Sequence, residues 1–265
     1  MAKAVETNII ASDKGGVGKT LVASLRIARH QLQHGKLPTI VEVETEPRLA
    51  LTFGQDNVRF FPFEADPAKI EADPSLSYAV WDGVADVVKS SKAPVVVDVG
   101  ANLLKPFAHY LAEQGDYGPW GKGEGVTLFA VATGEAKAVN SARSALFHMA
   151  QALPASRRYF VLNARDERLF PLDAEGAGVR GIVAETGAAG VLRIPCCTSA
   201  AFAEVSDRNM PLVEAVKVEP PVWEKECGLA GPAAARAAHR LAVFLRDGTR
   251  AFDPVYGALA EPAPA

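Results

Sequence analysis

The sequence has little of several features that define whole classes of protein. It contains 3 cysteines in 265 residues, and their number and spacing fit neither a disulfide framework nor a zinc site. Its net charge of -3 and pI of about 6.0 provide no global attraction to nucleic acid or to an anionic membrane. No apolar run approaches the ~20 residues that a membrane-spanning helix needs. These absences favour small, buried cysteines in a reducing compartment.

The start of the chain, Met1 to Glu6, lacks the charged-then-apolar pattern of a signal peptide, so we expect a bacterial cytoplasmic protein. With 49% hydrophobic and 22% charged residues, the chain is long enough to bury a substantial core. We predict a single domain over residues 1–255 and a flexible tail over residues 256–265.

Short apolar runs alternate with longer helical patterns. The predicted strands are Asn8–Ala11, Thr39–Val43, Val95–Val97, Val126–Ala132, Tyr159–Leu162 and Gly190–Ile194. The predicted helices are Thr20–Gln33, Tyr78–Val88, Ala138–Leu153 and Pro232–Leu245. Strand and helix in alternation predict an α/β fold with a doubly wound, mostly parallel sheet and helices on both faces.

The first predicted helix and the less regular stretches carry further expectations. Leu21, Leu25, Ala28 and Leu32 line one face of that helix, which ends before Gly35. Three stretches without clear periodicity are predicted as loops or insertions: Phe53–Pro74, Asp116–Gly125 and Val216–Gly231.

The segment from Asn8 to Thr20 reads as a strand, a glycine-rich turn and a helix start, which is the context of a phosphate-binding loop. Glycines in the turn allow positive φ angles and close approach to a phosphate, and the helix N-terminus attracts an anion. Lys19 would then reach the β- and γ-phosphates, and the Thr20 hydroxyl would ligate magnesium. The alternative is a glycine-rich turn that binds no ligand.

The strict loop pattern has glycine at position 13, where this chain has Asp13, but Lys14-Gly-Gly-Val-Gly-Lys-Thr20 resembles the variant loop of the ParA/MinD group of ATPases. The resemblance implies binding of ATP/ADP with Mg²⁺. It also implies an ATP-dependent homodimer, in which Lys14 contacts the nucleotide of the facing subunit and acts with Lys19 in catalysis. The nucleotide-contacting residues it implies in the loop are Lys14, Gly15, Gly16, Val17, Gly18, Lys19, Thr20 and Leu21.

Acidic residues follow the second and third predicted strands. Glu44 and Glu46, with Pro47 after them, stand where the group resembles Asp-x-Asp-Pro. By resemblance, Glu44 lies near the magnesium and Glu46 orients the attacking water. Each side chain is one methylene longer than the usual aspartate, so slow or absent hydrolysis with intact binding is one alternative, and a merely solvated loop is another. Asp98 ends a buried strand and fits the carboxylate that holds magnesium-bound water.

Two further positions resemble the base-binding region of the group. Asn163 ends a strand, and its amide is able both to donate to and to accept from an adenine edge, while a plain strand-capping role is the alternative. Pro195 follows the last predicted strand, in a region that borders the base in relatives.

The group positions many cargoes, and the loop does not specify one. The chain ends without a basic amphipathic helix, so we expect no membrane anchor. Four arginines near the C-terminus, Arg236, Arg240, Arg246 and Arg250, provide a candidate stripe for non-specific DNA and hence for nucleoid association. The alternative is a solvated helix face. The run from Val97 to Phe107 resembles the ParA-type proteins of conjugative transfer and mobilisation regions, such as TraL.

The sequence therefore leaves three functions open. The first is a dimerising ATPase switch for DNA partitioning, mobilisation or cargo positioning, with a protein activator or cargo adaptor as partner. The second is a nucleotide-binding scaffold with little or no hydrolysis. The third, a metallocluster-loading relative, requires bridging cysteines, and Cys196, Cys197 and Cys227 lack the usual placement.

Overall fold

A parallel seven-stranded sheet forms the centre of the fold. The computed structural model describes residues 5–63, 66–165 and 177–259, and the strand order in these residues is β3-β2-β4-β1-β5-β6-β7. The strands are β1 (Thr7–Ala11), β2 (Thr39–Glu44), β3 (Val58–Pro62), β4 (Val95–Val99), β5 (Val126–Ala132), β6 (Arg157–Asn163) and β7 (Gly190–Ile194). The predicted α/β fold class is confirmed.

Twelve α-helices accompany the strands in the described residues. They are α1 (Lys19–His34), α2 (Leu49–Phe53), α3 (Pro67–Ala72), α4 (Tyr78–Ser90), α5 (Leu104–Gln114), α6 (Ala136–Ala152), α7 (Ala177–Thr186), α8 (Phe202–Asp207), α9 (Leu212–Ala215), α10 (Pro220–Cys227), α11 (Gly231–Arg250) and α12 (Asp253–Tyr256). Within the described ranges, no helix is both long enough and apolar enough to cross a bilayer.

The connections place helices on both faces of the sheet. From β1 the chain crosses through α1 towards β2, whereas from β5 it crosses through α6 in the opposite direction towards β6. Because such crossovers are right-handed, opposite directions put the two helices on opposite faces. The helix α1 packs with α9 and α11, and α6 packs with α5 and α7.

Strand register brings the acidic residues of β2 and β4 to one edge of the sheet. In the pairing of β1 with β4, Ile10 lies opposite Asp98, and in the pairing of β2 with β4, Glu42 lies opposite Asp98. In open parallel sheets, ligands bind outside the carboxyl ends of the strands, where the strand order reverses. We therefore expect a site at the carboxyl ends of the strands next to β1.

Two of the three stretches predicted to be irregular contain regular structure. Phe53–Pro74 includes β3 and α3, and Val216–Gly231 includes α10. Sequence patterns miss β3 because this strand lies at the edge of the sheet and is buried at few positions, so it lacks the burial of the central strands. The stretch Asp116–Gly125 has turns at Gly121, Gly123 and Gly125, all with positive φ, as predicted for a loop.

The helix α1 is buried on more than its predicted apolar face. Leu25 and Ala28 are buried as expected, and Gly35 ends the helix with a φ of 68°. Leu21 is only half-buried, and Leu32 is 50% exposed. Arg26 and Arg29 are buried in addition to Leu25 and Ala28, because α11 and the segment after it cover this part of α1. Periodicity alone does not reveal such neighbours.

The C-terminal segment is fastened to α1 by those arginines. Arg29 is 1% exposed, and its guanidinium donates to Asp253 Oδ1 at 2.6 Å, to the Thr249 carbonyl at 2.8 Å and to the Gly257 carbonyl. The Arg26 guanidinium lies 4.2 Å from the centre of the Tyr256 ring. The first residues of the predicted tail are thus packed on α1, whereas residues 260–265 lie outside the described residues.

Replacement of Arg29 by alanine is expected to lower the free energy of unfolding by about 2–4 kcal/mol, because it leaves a carboxylate and two carbonyls without their buried donor. Chemical denaturation measures this change. The matched control is Arg143→Ala, which removes an exposed ion pair to Glu185 and is expected to change stability by no more than about 1 kcal/mol. Equal effects of the two substitutions would contradict the anchoring role of Arg29.

Candidate functional site

The loop between β1 and α1 has the conformation that a phosphate-binding loop requires. Gly16 and Gly18 have φ angles of 74° and 90°, and Gly18 immediately precedes α1. A Cβ atom at Gly18 would lie 2.1 Å from Nδ2 of Asn163, so both backbone conformation and contact demand glycine there. The start of α1 borders one cavity, as anion binding at a helix N-terminus needs.

Side chains from other strands and helices hold this loop in place. Asn163 Nδ2 donates to the Val17 carbonyl at 2.8 Å, and Arg165 Nη1 donates to the Gly16 carbonyl at 3.0 Å. Ser141 accepts from the backbone N–H of Lys14 at 3.0 Å. Sequence reasoning missed Arg165 and Ser141, although Arg165 lies two residues after the predicted Asn163.

Asp13 has a structural role that explains the departure from the glycine pattern. Its Oδ1 accepts from the backbone N–H of Leu104 at 3.2 Å, at the start of α5. Burial raises the pKa of Asp13, and the bond from Leu104 opposes that rise. The phosphate loop is therefore tied to the helix that follows β4.

Lys19 is the charged group at the centre of the site. It is 9% exposed, and its Nζ lies 3.4 Å from the Lys14 carbonyl oxygen. Burial lowers the pKa of Lys19, while the nearby Asp98, Glu44 and Asp13 carboxyls raise it. Perturbed titration in a cleft is typical of functional positions.

Asp98 has one oxygen that the described residues leave unsatisfied. Its Oδ1 is buried without a hydrogen-bond partner, and its carboxyl accepts a bond from the Thr20 side chain. Burial raises the pKa of Asp98 to about 7, the Thr20 bond and Lys19 lower it, and Glu42 and Glu44 raise it. A buried carboxylate oxygen beside a hydroxyl is the oxygen-rich surrounding that Mg²⁺ prefers, so these residues fit that ion.

Glu44 lies against the turn that follows β4. Its carboxylate accepts from the backbone N–H of Ala101, and burial raises its pKa while Lys19 and Arg48 lower it. A Cβ atom at Gly100 would lie 1.9 Å from Glu44 Oε2. Glycine at residue 100 therefore leaves room for the Glu44 carboxylate in this position.

Glu42, which sequence reasoning did not single out, organises the next segment. It is 1% exposed, and its carboxylate accepts from the backbone N–H groups of Arg48, Leu49 and Ala50 at 2.7, 2.8 and 3.0 Å. A carboxylate on the first N–H groups of a helix satisfies donors that otherwise lack partners. The position of Arg48 and α2 beside the site depends on this bond set.

These groups surround a cavity of about 630 Å³. Ten of the predicted site residues line it: Gly15, Gly16, Gly18, Lys19, Thr20, Leu21, Glu44, Asp98, Asn163 and Pro195. Seven further residues complete the wall: Arg48, Ala101, Ala164, Arg165, Cys196, Cys197 and Phe202. The ten predicted residues come from five separate segments and meet around this one cavity.

Three predicted site residues do not line the cavity. Val17 is buried and contributes its carbonyl to Asn163, Lys14 is half-buried, and Glu46 is exposed. Asn163 donates one amide hydrogen to the Val17 carbonyl of the loop, whereas its contact with a base is a prediction. The roles given to Lys14, Glu46 and Asn163 toward a nucleotide stay predictions.

Comparisons with known proteins give a short sequence match and several similarities of structure. No protein-family model matches the sequence. A stretch of 106 residues is 29% identical to protein TraL of Escherichia coli, so the match spans only 39% of this chain and 40% of TraL. The structure is similar to MinD cell division protein of Aquifex aeolicus, with 17% identity, a TM-score of 0.49 and coverage of 90% of this chain and 98% of that one.

A third similarity is to a variant of McdA from Cyanothece in complex with ATP, with 14% identity and a TM-score of 0.42 over 91% of this chain and 98% of that chain. The similarity to TraL agrees with the resemblance predicted from residues 97–107.

Substitution of Asp98 by asparagine is expected to flatten the dependence of stability on pH. Because the pKa of Asp98 is raised to about 7 in the folded protein, its contribution to stability is complete below about pH 4 and is lost as pH rises through 7. Between pH 5 and 7 the wild type should lose on the order of 3 kcal/mol more than the variant. Denaturant unfolding without nucleotide or Mg²⁺ at both pH values measures the difference.

The control for this experiment is Asp116→Asn, because Asp116 is exposed and pairs with Lys122 at the surface. Its pH dependence should follow that of the wild type. Parallel curves for the wild type and Asp98→Asn would show that Asp98 titrates normally.

Proposed function

We propose that this protein is an ATP-dependent, dimerising molecular switch of the ParA/MinD type that hydrolyses ATP slowly. The observation that carries the proposal is the meeting of Lys19, Thr20 and the unsatisfied Asp98 oxygen in one cavity beside a glycine loop. A triphosphate supplies the anion that the loop and Lys19 attract, and its magnesium ion matches the Thr20 and Asp98 oxygens.

The residues of the site would divide the work as follows. The backbone N–H groups of the loop and Lys19 bind the phosphates, which compensates the burial of the lysine charge. Thr20 and Asp98 would hold Mg²⁺, with Glu44 near them, and the ion would neutralise charge that develops on the phosphate oxygens. Asn163, Pro195 and Leu21, which line the same cavity, would border the base.

We assign Lys14 a contact across the proposed dimer. Lys14 is half-buried and does not line the cavity of its own protomer. This placement supports a contact with the nucleotide of a second protomer rather than with its own. ATP would then join two copies because each copy completes the phosphate site of the other.

Lys19→Ala is expected to lose both ATP binding and ATP-dependent dimerisation, whereas Lys14→Ala retains binding and loses dimerisation. Loss of the charge–phosphate contact at Lys19 should weaken binding by about a hundredfold, corresponding to about 3 kcal/mol. Calorimetry with a slowly hydrolysed ATP analogue measures affinity, and light scattering measures the oligomeric state. If Lys19→Ala dimerises with ATP as well as the wild type, the proposal is wrong.

A second candidate function is a nucleotide-binding scaffold with negligible hydrolysis. It is favoured by Glu46, which is exposed and does not line the cavity, and by Glu44, whose carboxylate is engaged by the Ala101 N–H group. A carboxylate must come within hydrogen-bond reach of the attacking water to orient it. ATP-driven closure of two protomers would have to bring Glu46 to that position.

The two candidates differ in phosphate release. Under the switch proposal, Glu46→Gln lowers the rate of release about a hundredfold, since it removes the base or positioner of the water, and leaves ATP affinity unchanged. The control Glu124→Gln changes an exposed glutamate away from the cavity and should behave as the wild type. Wild-type release at the level of Lys19→Ala would instead favour the scaffold.

The cargo is proposed only as a class. The similarity to TraL supports a task connected with DNA transfer or mobilisation, performed with a protein activator or adaptor. The four arginines of the predicted DNA stripe are exposed on α11, yet Arg246 pairs with Asp247 and Arg240 donates to the Thr198 carbonyl. These intramolecular contacts engage two of the four arginines that the predicted DNA stripe requires.

A further inference from the structure

We propose that Cys196 is a site of reversible mixed-disulfide formation with anionic low-molecular-weight disulfides, and that this modification excludes nucleotide from the cavity. The inference rests on the proposed nucleotide binding, because it concerns the same cavity. It adds a redox control that the phosphate loop itself does not suggest.

Two consecutive cysteines form part of the wall of the cavity that the phosphate loop borders. Cys196 and Cys197 both line the cavity that contains Lys19 and Asp98, and both are half-buried. The Cys196 thiol lies 3.5 Å from the Arg165 carbonyl oxygen, to which it donates. A group attached to this sulfur would therefore extend into the space that the nucleotide needs.

The cavity favours an anionic reagent near Cys196. Three cationic side chains line it, Lys19, Arg48 and Arg165, against the two carboxyl groups of Glu44 and Asp98. The Arg165 guanidinium contacts the phosphate loop, and the backbone carbonyl of the same residue accepts from the Cys196 thiol. Partly exposed cysteines in such electropositive surroundings are the ones that undergo exchange. Glutathione disulfide carries net negative charge, so the groups that attract phosphate also attract this reagent.

The other two cysteines provide contrasts. Burial raises the pKa of Cys197 to about 11, so this thiol stays protonated at neutral pH and is a poor nucleophile. Burial likewise raises the pKa of Cys227, which lies at the end of α10 beside Glu204 and Glu226 and does not line the cavity. Cys227 serves as the control because it lies outside the cavity, beside Glu204, Glu226 and the Arg208 that pairs with both of them.

The exchange joins one half of the disulfide to Cys196 and releases the other half as a thiol. The Cys196 thiol loses its proton, and the thiolate attacks one sulfur of the disulfide RSSR. A bond forms between Cys196 Sγ and that sulfur, the S–S bond of RSSR breaks, and the departing RS⁻ takes up the proton to become RSH. Cys196 is oxidised, half of RSSR is reduced to RSH, and an added thiol reverses the step.

The test uses the full chain and glutathione disulfide as the probe. Wild type, Cys196→Ser, Cys197→Ser and Cys227→Ser are each treated with the disulfide, and peptide mapping by mass spectrometry locates the adduct. Affinity for Mg²⁺-ADP is measured for every protein before and after treatment, so each variant is compared with its own untreated sample. Dithiothreitol is then added, and the neutral reagent 2-hydroxyethyl disulfide serves for comparison.

We expect the adduct on Cys196 in all proteins that retain it, with an increase in the Kd for ADP of about tenfold or more that dithiothreitol reverses. Bound Mg²⁺-ADP should slow the modification, and glutathione disulfide should react faster at low salt than the neutral disulfide. Cys196→Ser should keep its own affinity after treatment.

The inference is overturned if Cys196 stays unmodified while Cys227 reacts, or if modified Cys196 leaves the Kd unchanged. It is also overturned if Cys196→Ser loses affinity on treatment as the wild type does. Failure of the proposed function has a different signature, because the untreated wild type would then bind no ADP at all and the exclusion of nucleotide would fail with it.

Discussion

The contact between Gly18 and Asn163 is the constraint on which the site depends. Gly18 adopts a φ of 90° directly before α1, and the Asn163 side chain fills the space where a Cβ atom would be. The same amide donates to the Val17 carbonyl, so the end of β6 fixes both the path of the loop and the start of the helix. Anion binding at a helix N-terminus requires N–H groups held in advance, because an unfixed loop must lose conformational entropy on binding.

A second set of contacts joins the loop to the strand ends that carry acids. Asp13 binds the N–H group of Leu104, and the turn between β4 and α5 also binds Glu44 through the Ala101 N–H group. Gly100 leaves room for the Glu44 carboxylate beside this turn, so Glu44 and Asp13 contact the same segment between β4 and α5. The departure from glycine at position 13 thus couples the phosphate loop to α5.

Sequence patterns are most informative where one physical requirement dominates. Buried parallel strands need continuous apolar residues, so six of the seven strands in the described residues are predictable, and a glycine loop before a helix has few other uses. Long-range pairings have no such signal. Glu42 stands between valines like any strand residue, yet it caps α2. The Arg29 bonds to the C-terminal segment join residues more than two hundred positions apart, which no local pattern encodes.

Binding and hydrolysis place different demands on these acids, and the structure meets them unequally. Binding needs the loop, Lys19, Thr20 and one unsatisfied carboxylate, and all of them face one cavity. Hydrolysis also needs a group beside the attacking water, but Glu46 is exposed outside the wall and Glu44 is held by the turn after β4. A misplacement of about 1 Å costs on the order of a hundredfold in rate. Under the proposed function, slow turnover would suit a switch, because the bound state would then last until a partner or a second protomer brought the missing group into position.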